Sequence, residues 1–464
     1  MKLKNTLLIL LMLFALQGCK KAEFLDKKPN TKLVVPETLA DMKAILDNLD
    51  VMNGCSPGLP VLSADEYFYP ALSDWNSAST ATERNAYIWA KDIYVGTQII
   101  GDWNKPYGAI FYANVVLDQW NKLPTDQKNS PTGQFVKGFA LFHRAYNSYE
   151  LLQTFSVAYD PATAGSDLGI PLRLSSDIND RQPRASVQQS YQQVILDLEN
   201  AEALLAGTPF PEKNRNRPCS ASLNALEARV YLSMRNYPKA QDAAKKSLAL
   251  YNKLVDYNSL DQNSDFPFGF DYLNIFLEVL CLKSSSIYNN TVMGFNAGLP
   301  TEQSLIDLYE SNDLRRTIFF SVYQGNFYLK AGYVFNGFFF TGLAVDEVYL
   351  INAECLARKG DLDNALKFLN QLLEKRYVTG KYVAFQSTSK QEVIDKILLE
   401  RRKELVWRGL RWSDIKRLNK EGSNITLTRN LGGQTYTLPP NDPRYALPIP
   451  DDEIALSGIQ QNPR

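Results

Sequence analysis

Residues 228–240 (ARVYLSMRNYPKA) and 353–365 (AECLARKGDLDNA) carry one pattern at identical offsets. Each opens on an alanine, Ala228 or Ala353, and has an apolar residue three later, Tyr231 or Leu356. A polar turn residue follows, Asn236 or Asp361, then an apolar one, Tyr237 or Leu362, then a second alanine, Ala240 or Ala365. Small residues at these positions let two helices approach closely. The intervening Arg235-Asn236 and Gly360-Asp361 supply a tight turn, so each stretch predicts an antiparallel helix pair.

The spacing resembles the tetratricopeptide helix pair. Working outward, apolar residues recur at helical spacing in several further segments. They predict helices from Val35-Pro36 to Leu49, over 107–123 closed by Pro124, over 135–155, over 186–205 and over 220–234. The expected fold class is mostly α, a scaffold of repeat-type helix pairs near 107–155, 186–250 and 343–377. Residues 65–75 (DEYFYPALSDW) break the periodicity and read as loop. Residues 257–341 fit no repeat; they are rich in rings and punctuated by Gly, Asn, Ser and Pro, as in NFYLKAGYVFNGFFF. Loops this long in a compact chain are usually functional, so the ligand region is expected there.

The chain has 464 residues, enough to bury a large core without staples. Its 45% apolar and 22% charged content is globular, which argues against wholesale disorder. Lys plus Arg and Asp plus Glu both number 50, so the global positive field of a nucleic-acid binder is absent. Residues 400–418 (ERRKELVWRGLRWSDIKRL) nevertheless form a local basic run with Trp407 and Trp412 interleaved. Ile394, Ile397, Leu398, Leu405, Trp412 and Ile415 keep a helical stripe through it, and Glu404 and Arg408 stand at i,i+4. These charges are expected to be mostly paired and partly buried. Gly409 is expected to break the helix, leaving Arg411 and Trp412 to pack on the scaffold with arginine and tryptophan planes able to stack.

At the N-terminus, Lys2 and Lys4 precede an apolar block, residues 7–16, about half the roughly twenty residues that span a bilayer. Residues 1–18 read as a signal peptide, and Leu16-Gln17-Gly18-Cys19 as a lipobox that makes Cys19 the lipidated first mature residue. Residues 19–34 read as a tether and 35–464 as one domain. No later segment is apolar and long enough to span, so the expected attachment is by lipid. The other cysteines, Cys55, Cys219, Cys281 and Cys355, form no CxxC or Cys/His cluster, and no zinc site is expected. Cys355, inside an apolar helical pattern, reads as a buried free thiol.

Catalytic chemistry finds little footing. His143 is the single histidine and lies on an apolar helix, where it reads as structural. A histidine-rich metal centre is thereby excluded, and any Ser-His-Asp triad would run through this residue. There is no GxxxxGK[ST] loop and no GxGxxG after a strand. Asp261-Gln262-Asn263-Ser264-Asp265 begins like a calcium loop, but Phe266 replaces the required glycine and Tyr272 the bidentate glutamate. The reading is of a protein without catalytic residues, metal or cofactor.

Several separated segments resemble the SusD/RagB family of outer-membrane nutrient-binding lipoproteins. They are the lipobox with Phe24-Leu25-Asp26-Lys27-Lys28-Pro29, residues 103–114 (WNKPYGAIFYAN), and 308–315 (LYESNDLR). They continue through Glu347-Val348-Tyr349-Leu350 with Ala353-Glu354, residues 400–418, Leu447-Pro448-Ile449-Pro450, Glu453-Ile454 and Gln461-Asn462-Pro463. Together they run the length of the chain in the family's order. The resemblance implies a SusD-like α/α superhelix with irregular loops on another face. It also implies a non-catalytic, surface-exposed lipoprotein of the outer membrane that captures oligosaccharides, or in some members peptides. These would be delivered to a partner SusC-like TonB-dependent transporter.

The chemistry of such a site is argued independently. A sugar ring has apolar C–H faces and a hydroxyl rim, so its binder needs flat exposed aromatics beside Asn, Asp, Arg or Lys. Loops 67–76, 265–274 and 286–296 offer that combination, and nominate Tyr69, Trp75, Asn76, Tyr272 and Tyr288 as ligand contacts. Trp103 and Tyr107 are assigned to the core. The alternatives are a peptide-binding member of the same family, a lipid-anchored hydrolase, and an interaction scaffold using the repeat surface.

Overall fold

The structure, a computed structural model, describes residues 35–268, 277–288, 298–330, 332–334 and 338–464. Two units divide the chain, Met1–Thr38 and Leu39–Arg464, and the elements below belong to the second. The expected signal peptide, Cys19 and Tyr272 lie outside the described residues. Among those described, no helix is long and apolar enough to cross a membrane.

Nine helices carry the scaffold: α1 (Gly101–Lys122), α2 (Pro131–Phe155), α3 (Val187–Leu205), α4 (Ser220–Ser233), α5 (Tyr237–Leu250), α6 (Val345–Lys359), α7 (Leu362–Glu374), α8 (Lys390–Glu404) and α9 (Arg411–Asn419). From α1 to α7 each helix packs on the next, and α8 lies on α6. Helix α2 is the spine of the first half, touching both α1 and α3. A Cβ on its Gly138 would sit 2.8 Å from Leu205 Cγ, so only glycine permits the α2–α3 approach.

The two quoted stretches become the α4–α5 and α6–α7 pairs. Their turns are superimposable: Asn236 and Asp361 both have φ −86° and ψ 73°, and each side chain caps the following helix, accepting the N–H of Lys239 or Asn364. Residues preceding them, Arg235 (φ 59°) and Gly360 (φ 96°), turn the chain in left-handed conformation. Ala228, Ala240, Ala353 and Ala365 are all fully buried. The repeat spacing is thus a close-packing signal.

Other boundaries moved. Helix α1 begins at Gly101, earlier than periodicity indicated, because Pro106 lies inside it and breaks the apparent pattern. The predicted N-terminal helix is two, Leu39–Leu46 and Leu49–Met52, the second capped by Asn48. Part of the predicted loop 65–75 is a short helix, Leu72–Asn76. The described part of 257–341 is not purely irregular. Val279–Cys281 pairs antiparallel with Leu343–Ala344, Ser284–Ser285 with Phe339–Phe340, and Phe320–Tyr323 folds back on Asn326–Leu329. The first two pairings join distant residues, which local patterning does not report. A second, smaller hydrophobic core, including Tyr257, Phe268, Ile318, Tyr333 and Phe340, lies at these ribbons.

The basic run is an interior ion network. Helix α8 stops at Glu404, Trp407 (φ 60°) and Gly409 (φ 69°) reverse the chain, and α9 restarts at Arg411. Arg315 bonds Asp313, Glu400 and Glu404 at 2.7, 2.5 and 3.0 Å, all fully buried. Glu404 also holds Arg376 at 2.7 Å, and Arg376 holds Glu278 at 2.6 Å. The expected Glu404–Arg408 pair does not form, because the helix has ended; Arg408 reaches Asp346 at 2.6 Å instead. Trp412 packs at a tilt of 40° against Tyr445, with centroids 4.8 Å apart. The run's cations are buried or half-buried, and all but Lys416, which bonds the Gln153 and Ser156 carbonyls, pair with carboxylates.

Arg411 lies at the edge of this network, making a two-pronged contact to Asp65 at 2.7 and 2.9 Å. Arg411→Ala leaves a partly buried Asp65 with Arg402 alone, so chemical denaturation should show a loss of about 1–3 kcal/mol. Ligand affinity per folded molecule should stay within twofold; a larger change would place Arg411 in the site.

Candidate functional site

Tyr69, one of the nominated rings, belongs to the core. It is 3% exposed and edge-on to Tyr87 at 4.7 Å, with Tyr67 6.0 Å away on another side. No face is left for a sugar. Alternation in 65–69 suffices to explain the error, since YFY places two of its three rings inward. Trp75 is half-buried, its indole N–H fixed to the Arg84 carbonyl at 2.9 Å, and Asn76 beside it is exposed. The Leu72–Asn76 helix therefore presents a held ring edge next to an exposed carboxamide.

Tyr288 is half-buried and is tied to the start of α1. Its phenol donates to Asp102 Oδ2 at 2.9 Å, while Oδ1 of the same carboxylate accepts the N–H groups of Gly58 and Leu59 at 2.7 Å. Burial pushes the Asp102 carboxyl above its usual range, with these hydrogen bonds opposing it. Gly58 lies under the Tyr288 ring, where a Cβ would come within 2.9 Å of Cδ2. Tyr69, Trp75 and Asn76 share one segment; Tyr288 is anchored from another.

Two openings were not nominated residue by residue. The first is an open cleft of about 230 Å³ bordered by Trp103, Asn104, Tyr107, Phe111, Arg173 and Asp177. Trp103 is core as expected, packed on Tyr107 at 4.7 Å and Phe155 at 5.0 Å, yet both it and the half-buried Tyr107 border this cleft. Asn114 builds the far wall: its carboxamide donates to the Arg173 and Ser175 carbonyls at 2.9 and 3.2 Å and accepts from Arg144 at 3.0 Å. At roughly 10–15 Å³ per water-sized body, the cleft has room for a sugar ring.

The second is an aromatic cavity of about 50 Å³ beside the smaller core, bordered by Phe268, Phe319, Tyr333, Phe338, Trp407 and Arg408 among others. Trp407 stacks parallel to Phe339, centroids 5.9 Å apart, and its ring lies 5.7 Å from that of Tyr67. A chain of rings thus connects the 67–76 segment with the FFF run at 338–340. The sequence showed that run as ring-rich and Trp407 as a ring within a charged stretch, but not that the two meet.

His143 borders neither opening. His143 is 1% exposed and lies against Phe139 at 5.0 Å, and burial drives its imidazole down to about 3, so it is neutral at physiological pH and away from solvent. Among the described residues, no group of three His, Cys, Asp or Glu is placed to hold a metal. Cys55, Cys219, Cys281 and Cys355 are buried free thiols, and burial raises the Cys281 thiol to about 12.

A family profile described as "Starch-binding associating with outer membrane" matches residues 23–232, and that of the SusD family matches 346–464. No curated protein sequence matches the chain. Among solved structures, the chain is similar to a SusD superfamily protein of Bacteroides thetaiotaomicron, 22% identical, covering 92% of this chain and 100% of that one, with a TM-score of 0.69. A SusD-like carbohydrate binding protein of Bacteroides vulgatus is 20% identical over 91% and 97% of the two chains, TM-score 0.66. Surface glycan-binding protein A of Bacteroides fluxus is 16% identical over 92% and 100%, TM-score 0.68. With both ends of the chain matched by family profiles and the helical scaffold shared throughout, the chain belongs to the SusD/RagB family.

Proposed function

We propose that this protein is a surface-exposed lipoprotein of the outer membrane, anchored through Cys19, that binds oligosaccharides and passes them to a SusC-like TonB-dependent transporter. The observation that carries the reading is the match of residues 23–232 to a starch-binding, outer-membrane-associated family. The geometry adds rings at polar rims: Trp75 beside Asn76, and Tyr107 and Phe111 beside Asn104, Arg173 and Asp177. Such a pairing suits the C–H face and hydroxyl rim of a sugar. Tyr272 and Tyr288 remain proposed contacts.

The soluble form from residue 20 onward, titrated calorimetrically against oligosaccharide and peptide panels, tests the ligand class. Oligosaccharide binding is expected; binding of peptides alone would assign the chain to the peptide-binding reading. Trp75→Ala should weaken the glycan at least ~10-fold, about 1.4 kcal/mol, measured per folded molecule. If Phe111→Ala removes binding and Trp75→Ala does not, the site is the cleft on α1. Affinity purification from outer membranes should recover a large β-barrel protein, and recovery of the chain alone counts against the transporter.

A further inference from the structure

Two side chains bordering the aromatic cavity, Trp407 and Arg408, carry buried donors that no described residue accepts. Trp407 is 2% exposed and its indole Nε1–H has no hydrogen-bond partner among the described residues. Arg408 is 7% exposed; Nη1 is bonded to Asp346 at 2.6 Å, while Nε and Nη2 have no partner among the described residues. Arg408 also borders a neighbouring cavity of about 40 Å³, so Trp407 is the donor proper to the aromatic one. A buried N–H without an acceptor has lost its water and gained no bond in return, which favours an occupant that accepts.

The acceptors in the wall are already engaged. Asp346 Oδ2 takes Arg408 and Tyr333, and Oδ1 takes the N–H of Glu347. Glu404 is held by Arg315 and Arg376. Lys330 gives its ammonium to the carbonyls of Gln262 and Thr317 at 2.7 and 2.9 Å. The occupant must therefore accept hydrogen bonds without needing to donate any. A hydroxyl or a water brings donors that these groups do not receive; a carbonyl oxygen does not. Formal charge in the wall also cancels, Lys330 and Arg408 against Asp346 and Glu404, which gives an anion no net attraction.

Size and apolarity narrow the choice further. At roughly 10–15 Å³ per water-sized body, about 50 Å³ admits three to five such bodies, a short substituent and not a sugar ring. Phenylalanines 268, 319, 338, 339 and 340 make most of the remaining wall, an environment for a methyl group. Half-buried Phe319, Leu329, Gly332 and Phe338 form the mouth.

From this geometry we infer that the cavity receives the acetyl substituent of an acetylated glycan, with the carbonyl oxygen accepting from Trp407 or Arg408 and the methyl among the phenylalanine rings. The inference rests on the glycan-binding reading and specifies its substrate class. It predicts discrimination between sugars of one backbone that differ at the substituent bearing the acetyl group.

Chito-oligosaccharides and cello-oligosaccharides share a β-1,4 backbone and carry acetamido or hydroxyl groups, both neutral. Acetylated xylo-oligosaccharides and their saponified products make a second matched pair. Calorimetry on the soluble chain should show at least ~10-fold tighter binding of the acetylated member in one pair. Trp407→Phe, which keeps a ring and removes the donor, should reduce that preference several-fold, the acetylated member losing more affinity than the unacetylated one. Gly332→Leu plants a side chain at the mouth where a Cβ meets nothing within 4 Å, and should abolish the preference without unfolding the chain. Equal affinities within both pairs overturn the inference and leave glycan binding standing. Equal losses for both members on Trp407→Phe, with the preference surviving Gly332→Leu, also overturn it. Peptides alone binding in the broader panel would remove both readings together.

Discussion

Replacing Arg315 with alanine is expected to cost about 3–5 kcal/mol of folding stability, the largest single effect this fold should show. The guanidinium is fully buried and joins Asp313, Glu400 and Glu404. Around it, Arg315, Arg376, Lys396 and Lys403 face Asp313, Glu278, Glu400 and Glu404, so the formal charge of the connected cluster is zero. Alanine leaves surplus negative charge in the interior, and the penalty is that of uncompensated buried carboxylates rather than of one lost contact. Denaturant unfolding should show a lower midpoint with an unchanged slope. A loss under about 1 kcal/mol would mean that water enters the network and screens it. Glycan affinity of the folded fraction should not change, because the cluster is not exposed.

Acid should dissolve the same network from its carboxylate side. For Glu400, burial pushes the carboxyl up, but the charges of Arg315, Lys403 and Lys396 more than reverse this and hold it at about 2. Asp313, Glu354 and Asp414 are likewise held below their ordinary range by buried arginines, against the opposing effect of burial. A carboxyl lowered in the folded state contributes its stability above the unfolded value, 4.5 for Glu400, and loses it as pH falls towards 2. Glu400 alone accounts for about 3 kcal/mol over that window, at about 1.36 kcal/mol per unit. Glu66 and Glu227 act oppositely: burial raises both to about 7, so the folded state prefers them protonated and gains stability as pH falls from 7 towards 4.5. Unfolding free energy should accordingly peak near pH ~5 and fall steeply below ~4. Glu400→Gln should be less stable at neutral pH and show a shallower acid limb. An unaltered acid limb in that variant would assign the loss to other carboxylates.

The helix pairs were readable from 228–240 and 353–365 because close approach of two helices demands small residues at fixed offsets. That demand acts within a dozen residues, and a linear pattern records it. Burial of the 400–418 charges was also legible, from the helical stripe running through them. Their partners were not: Glu404 met Arg315 and Arg376, far away in sequence, and no i,i+4 rule reports such a pairing.

The ligand face divides the same way. Ring-rich loops in 65–76 and 257–341 were evident from composition, but whether a given ring faces solvent depends on what covers it. Tyr69 is covered by Tyr67 and Tyr87, Trp75 keeps an edge, and Tyr288 is tied to Asp102. Trp407 reached an aromatic cavity only because the chain reverses at Gly409 and stacks it on Phe339. The sequence by itself determined the helical scaffold and the family, and showed where ring-rich segments lie. Only tertiary structure decided which of those rings are buried, because burial is set by contacts between residues that the chain's order keeps apart.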